Sequence, residues 1–134
     1  KDFPIQLSHC PLLTQLYLNN TQISYIPRGI SNFKNLLNLG LGNTPLQEIP
    51  IEMGSMQNLN FLDVSWTKIT RIPPELGQLT KLTALLIDHT DITHIPPELN
   101  KISLTSLYLE GTKLSPEEKE SLKRNFTNTT IQGL

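Results

Sequence analysis

The sequence predicts an α/β solenoid, with short parallel strands along one face and 3₁₀ or short helical turns along the other. Three observations carry that expectation. A pattern L-x-x-L-x-L-x-x-T-x-I returns at a spacing of 23 residues, which is a solenoid period. Within each return the apolar residues alternate with period two, as on a half-buried strand. An Ile-Pro pair then follows in register, at Ile26-Pro27, Ile49-Pro50, Ile72-Pro73 and Ile95-Pro96.

Leu13, Leu36, Leu59 and Leu82 open successive units, and Leu104 opens a fifth one residue early. The openings read LTQLYLNNTQI, LLNLGLGNTPL, LNFLDVSWTKI, LTALLIDHTDI and LTSLYLEGTKL. Alternation sends Leu16 and Leu18, Leu39 and Leu41, Leu62 and Val64, Leu85 and Ile87, and Leu107 and Leu109 inward. The prolines stop each loop from pairing as further strand, because proline has no N–H for a ladder. Pro74 and Pro97 suit the first turn of a helical segment. Behind each Ile-Pro, apolar residues at steps of about three are expected to point inward: Ile30 and Phe33, Met53 and Met56, Leu76 and Leu79, Leu99 and Ile102.

The same register accounts for both ends. Phe3-Pro4 falls where other units have Ile-Pro, which places Leu7 and Cys10 at inward positions and makes residues 1–12 a partial repeat. The chain is therefore expected to begin inside a repeat. Residues 13–114 form five repeats, and 115–134 a closing helix and tail, all in one domain. In LSPEEKESLKRNF, Ser115 is the expected N-cap, Pro116 the first helical residue, and Glu118 is placed for a capping box. Leu122 and Phe126 share a face, and Ile131 is expected beside the last strand as an edge cover, so the C-terminal end reads as complete.

These repeats resemble the leucine-rich repeat family over essentially the whole chain, in the 23-residue subclass common in bacterial and cytosolic proteins that usually reads L-P-x-x-I/L. The resemblance implies a horseshoe fragment whose concave face is the strand face. One departure is consistent: the family's Asn at the ninth position is replaced by Thr21, Thr44, Thr67, Thr90 and Thr112. A hydroxyl both donates and accepts, so a threonine ladder is expected to satisfy the backbone of the turn after each strand.

Composition excludes several function classes. Eleven basic residues against 12 acidic ones leave a net charge of −1, which gives the whole chain no electrostatic reason to seek nucleic acid or an anionic membrane. No apolar run is long enough to span a bilayer, and KDFPIQLSHCP lacks the charged and apolar regions of a signal peptide. The single cysteine, Cys10, cannot form an internal bridge and reads as a small core hydrophobe. The chain has no zinc-type Cys/His cluster, and no cofactor is expected.

Function in this architecture is expected from the outward residues of the strands and those just after them. They include Tyr17, then Phe61, Asp63, Ser65 and Trp66, then Leu86, Asp88 and His89, then Tyr108 and Glu110. Three carboxylates stand there without a lysine or arginine, whereas Lys34, Lys68, Arg71, Lys81, Lys101 and Lys113 fall on loops and the outer face. Aromatic groups beside same-sign charge suit a binding hot spot for a basic protein partner. The bland alternatives are solubility charges, and a Trp66 that merely shields the threonine turn.

His89 with Ser65 and Asp63 invites a hydrolase reading, but an open sheet offers no pocket, oxyanion hole or buried orienting carboxylate. A cation at Asp63, Asp88 and His89 would lack a cysteine or second histidine to define the site. His9 and His94 are expected on the solvated outer side. The sequon matches at Asn19, Asn125 and Asn128 are cheap in a threonine-rich repeat. The expected function is a non-enzymatic, monomeric protein-interaction module, cytoplasmic or a bacterial effector acting in a host cell. The alternative is the substrate-recognition part of a larger enzyme such as a ubiquitin ligase.

Overall fold

The structure is a computed structural model that describes residues 2–134. Its sheet has six strands in the order β1-β2-β3-β4-β5-β6, every neighbouring pair parallel. They are β1 (Gln15–Tyr17), β2 (Asn38–Gly40), β3 (Phe61–Asp63), β4 (Ala84–Leu86), β5 (Ser106–Tyr108) and β6 (Thr130–Gln132). Leu16, Leu39, Leu62, Leu85, Leu107 and Ile131 share one row through the register. The 23-residue repeat is therefore the spacing that lays identical side chains on top of one another.

Short 3₁₀ turns run behind the sheet at Ile5–His9, Arg28–Asn32, Ile51–Ser55, Pro74–Gln78 and Pro97–Lys101. Pro27, Pro50, Pro73 and Pro96 stand at the residue before four of these turns in extended conformation, and Pro74 and Pro97 open two of them. Gly54 and Gly77 let consecutive turns close up. A Cβ on either would lie 2.6 Å from the carbonyl oxygen of Glu75 or Glu98 respectively, so no larger residue fits without moving backbone. The core is one continuous cluster between sheet and turns, and in β2 to β5 the central leucines are 0% exposed.

The threonine ladder is present, and its role is donation. Thr21, Thr44, Thr67, Thr90 and Thr112 each send the hydroxyl to the carbonyl three residues back, on Leu18, Leu41, Val64, Ile87 and Leu109, at 2.7 to 2.8 Å. Thr44, Thr67 and Thr90 are buried, so the side chain replaces water at the strand exit. Replacing Thr67 by Val, which keeps the shape and removes the donor, should lower unfolding free energy by about 1–3 kcal/mol in urea titrations. An unchanged midpoint would mean that the Val64 carbonyl is satisfied in another way.

The ends depart from expectation at two residues. Cys10 is exposed rather than buried, because Phe33, Met56 and Leu79 at its equivalent positions pack between two repeats, whereas among the described residues Cys10 has a repeat on one side. For the same reason Leu7, Leu13 and Leu18 are half-buried, whereas Leu12 is 90% exposed because it holds the outward loop position of Asn35, Asn58 and Lys81. Helix α1 (Pro116–Asn125) starts at Ser115, whose Oγ accepts from the Glu118 N–H at 3.1 Å. Glu118 makes only that half of the capping box. Its carboxylate turns to the preceding repeat instead, accepting from Ile95 N–H at 3.1 Å and standing 2.7 Å from His94 Nδ1. Leu122 and Phe126 are both buried, and Ile131 lies beside Leu107 in β6.

Candidate functional site

The outward residues of the strands form a face with two independent kinds of order. The first is a row of left-handed backbone just past each strand: Asn20 (φ 61), Asn43 (φ 54), Trp66 (φ 56), His89 (φ 54) and Gly111 (φ 70). The turn after the strand requires that conformation, which asparagine and glycine adopt cheaply and a tryptophan does not. Along the row Asn43 Nδ2 donates to Asn20 Oδ1 at 2.7 Å, and the Trp66 and His89 rings stack at 3.8 Å with 8° between their planes. His89 lies over Gly111, where a Cβ would come within 2.8 Å of the imidazole.

The second kind of order joins β1 to β3 across β2. Asn19 Nδ2 donates to Asp63 Oδ2 at 3.0 Å, spanning 44 residues of sequence. Gly40 and Gly42 lie beneath. A Cβ on Gly40 would stand 2.4 Å from Asn19 Oδ1, and one on Gly42 would stand 2.9 Å from Asp63 Oδ2. Two outward glycines two residues apart, Gly40 at the end of β2 and Gly42 just past it, are the sequence signal for this bridge, and Asn19 was missed as a positioning residue. Asp63 also accepts at Oδ1 from the Ser65 N–H at 2.9 Å and the Ser65 hydroxyl at 2.6 Å.

The expected site residues fall on this one face, with unequal exposure. Trp66 is 58% and Tyr17 55% exposed, while Phe61, Leu86 and Tyr108 are half-buried. Tyr17 Oη accepts from Asn38 Nδ2 at 3.2 Å. Asp88 is half-buried with Oδ2 3.3 Å from His89 Nδ1, and Glu110 is exposed beside it, its carbonyl accepting from the His89 N–H. Ser65 and His89 thus hydrogen-bond to different carboxylates, Asp63 and Asp88, and do not form a Ser–His pair. Among the described residues no three His, Cys, Asp or Glu side chains group as metal ligands.

Charge is distributed differently on the loop edge. Asp91 pairs with Lys113 at 2.8 Å, and that hydrogen bond and charge hold its carboxyl below the usual range. On the strand face itself Asp63, Asp88 and Glu110 meet no lysine or arginine among the outward residues. Among the described residues, no helix is long and apolar enough to cross a membrane.

Comparison with known proteins agrees with this geometry. A leucine-rich repeat protein of Leptospira interrogans superposes on 98% of this chain with a TM-score of 0.94 and 29% identity, and this chain spans 34% of that one. Internalin C2 of Listeria monocytogenes matches 98% of this chain and 56% of its own length, with a TM-score of 0.83 and 22% identity. The leucine-rich repeat ectodomain of a membrane receptor kinase of Arabidopsis thaliana, solved in complex with Casparian strip integrity factor 2, matches with a TM-score of 0.82 and 25% identity. That match covers 99% of this chain and 16% of the ectodomain chain. None of the curated proteins matches the sequence. The family model for the leucine-rich repeat region matches residues 2–127, and with the register, the parallel sheet and the 3₁₀ turns this makes the chain a member of the leucine-rich repeat family.

Proposed function

We propose that this chain is a protein-binding module that takes a basic partner on its strand face, using Trp66 and Tyr17 as apolar anchors and Asp63, Asp88 and Glu110 as charge. Leucine-rich repeat folds are in general protein-interaction modules and typically non-catalytic. The observation that carries the finer reading is Trp66 itself. A bulky residue in left-handed conformation costs roughly 1–2 kcal/mol, and its stack on His89 returns about 0.5–1.5 kcal/mol. A structure that needed only the turn would hold asparagine or glycine there, as Asn20, Asn43 and Gly111 do. Strain kept at an exposed aromatic group on a cation-free acidic face is what a binding site would show.

The likeness to a Leptospira protein at 29% identity supports a setting in a bacterium, and a bacterial effector acting on a host protein fits the same face. Trp66→Asn separates the roles of residue 66, since asparagine accepts the left-handed turn. That variant should melt within about 1 kcal/mol of wild type and lose about 1–3 kcal/mol of affinity for the partner. Asp63→Asn is the companion: its Oδ1 keeps both bonds from Ser65 and its Nδ2 donates to Asn19 once that amide turns over, whereas Asp63→Lys would break all three bonds and unsettle the fold. Affinities measured by calorimetry on both variants check this, and two unchanged values would move the site off this face.

A further inference from the structure

We infer that the saddle between Trp66 and the Asn19–Asp63 bridge is a subsite for an arginine side chain of the partner, a step that rests on the reading of the strand face given above. The floor of the saddle is that bridge itself, which covers the exit of β2 and closes over the buried Gly42. Asp63 leans over it from β3 and Asn19 from β1, so that a Cβ on Gly42 would stand 2.9 Å from Asp63 Oδ2 and 2.8 Å from Asn19 Nδ2. The next residue, Asn43, donates its Nδ2 to Asn20 Oδ1, and its own Oδ1 receives no hydrogen bond among the described residues. Trp66 neighbours Asn43 in the left-handed row. One face of its indole stacks on His89, and the side chain remains 58% exposed.

The saddle therefore gathers acceptors and an exposed aromatic group, and its two side-chain amide donors, Asn19 Nδ2 and Asn43 Nδ2, each already donate within the face. Asp63 Oδ1 takes both bonds from Ser65, whereas Oδ2 takes only Asn19 and keeps a lone pair. Asn43 Oδ1 offers a second acceptor. A planar cation with several donors matches that set. The guanidinium group stacks on an indole and divides its five N–H groups among separated acceptors, which a compact ammonium cannot do equally well. Charge agrees, because Asp63 has no lysine or arginine among the outward residues of the face to neutralise it.

Trp66 is the single tryptophan of the chain, so its emission reports the subsite directly. The test titrates the intact chain with acetyl-Gly-Arg-Gly-amide, and with the same peptide carrying lysine or the uncharged isostere citrulline in place of arginine. Backbone amide shifts of Gly42, Asn43 and Trp66 are followed in parallel. A saturable response is expected, at least about tenfold tighter for arginine than for citrulline, weaker for lysine, and reduced by salt. Asp63→Asn, which keeps the side-chain shape, should weaken the arginine peptide about tenfold with the amide spectrum otherwise retained. Equal binding of arginine and citrulline peptides, or shifts confined to the turn face around Glu75 and Glu98, overturns the subsite. Cross-linking of the partner from strand-face positions judges the face itself. A missing arginine response together with strand-face cross-links removes the subsite and leaves the face, and loss of both removes the two together.

Discussion

Leu85→Asp should abolish cooperative folding. Leu85 is 0% exposed in β4 and sits between Leu62 of β3 and Leu107 of β5 in the register. The substitution deletes the apolar contacts of a buried leucine and puts a carboxylate where no donor is available, since the neighbours in its row are leucines. Leu→Ala at such a site costs about 2–5 kcal/mol, and an unpaired buried charge adds several more. A domain of this size has only about 5–15 kcal/mol to lose. Far-ultraviolet circular dichroism with urea titration should show no native baseline for Leu85→Asp and a destabilised but cooperative transition for Leu85→Ala. If the aspartate variant melts like wild type, the strand register is wrong.

Gly77→Val should be nearly as damaging, for a reason on the opposite face. A Cβ there would stand 2.6 Å from Glu98 O and 2.8 Å from Glu98 Cβ, so the turns Pro74–Gln78 and Pro97–Lys101 must separate. Those two turns stack through backbone, and separating them also lifts Leu76 and Leu99, both 0% exposed, away from each other. Overpacking of this kind costs about 1–3 kcal/mol for a methyl group, and a β-branched residue stands at or above the upper end. Thermal unfolding should show a midpoint lowered by several degrees for Gly77→Ala and by more for Gly77→Val. A Gly77→Ala variant as stable as wild type would mean that the turns slide apart freely. That would be inconsistent with a core closed on the turn side.

The repeat register was legible because every inward position had a duplicate 23 residues away, and stacking makes such duplicates neighbours. The proline placement, the Ser115 cap and the Ile131 edge strand followed from local rules that act within a few residues. What the sequence left hidden involved partners set by the stack itself. Glu118 reaches back 23 residues to the Ile95 N–H, a choice that a capping pattern read within its own helix cannot reveal. Cys10 matched the inward pattern, yet burial depends on a neighbour on each side and not on phase alone.

The strand face shows the same division. That Asp63 and Asp88 share one face was readable from alternation, and Trp66 and His89 were added as residues just after the strands, where period two no longer applies. The ring stack and the Asn19 to Asp63 bridge were not, since each depends on side-chain rotation chosen among several neighbours. The bridge also changes what Asp63 is. It is a carboxylate held in place by three hydrogen bonds rather than a loose surface charge, so its position on the face is set before any partner arrives.

The central claim is that partners bind the strand face, and position-specific photo-cross-linking tests it most directly. A photoreactive phenylalanine analogue would be placed singly at Leu86 and Tyr108 on the strand face, and at Ile51 and Thr93 on the turn and loop side, the last two being exposed positions. The account predicts that one partner is captured from Leu86 and Tyr108 and lost from both when Trp66→Asn is added. Capture of that partner from Ile51 or Thr93 and not from the strand face would contradict it.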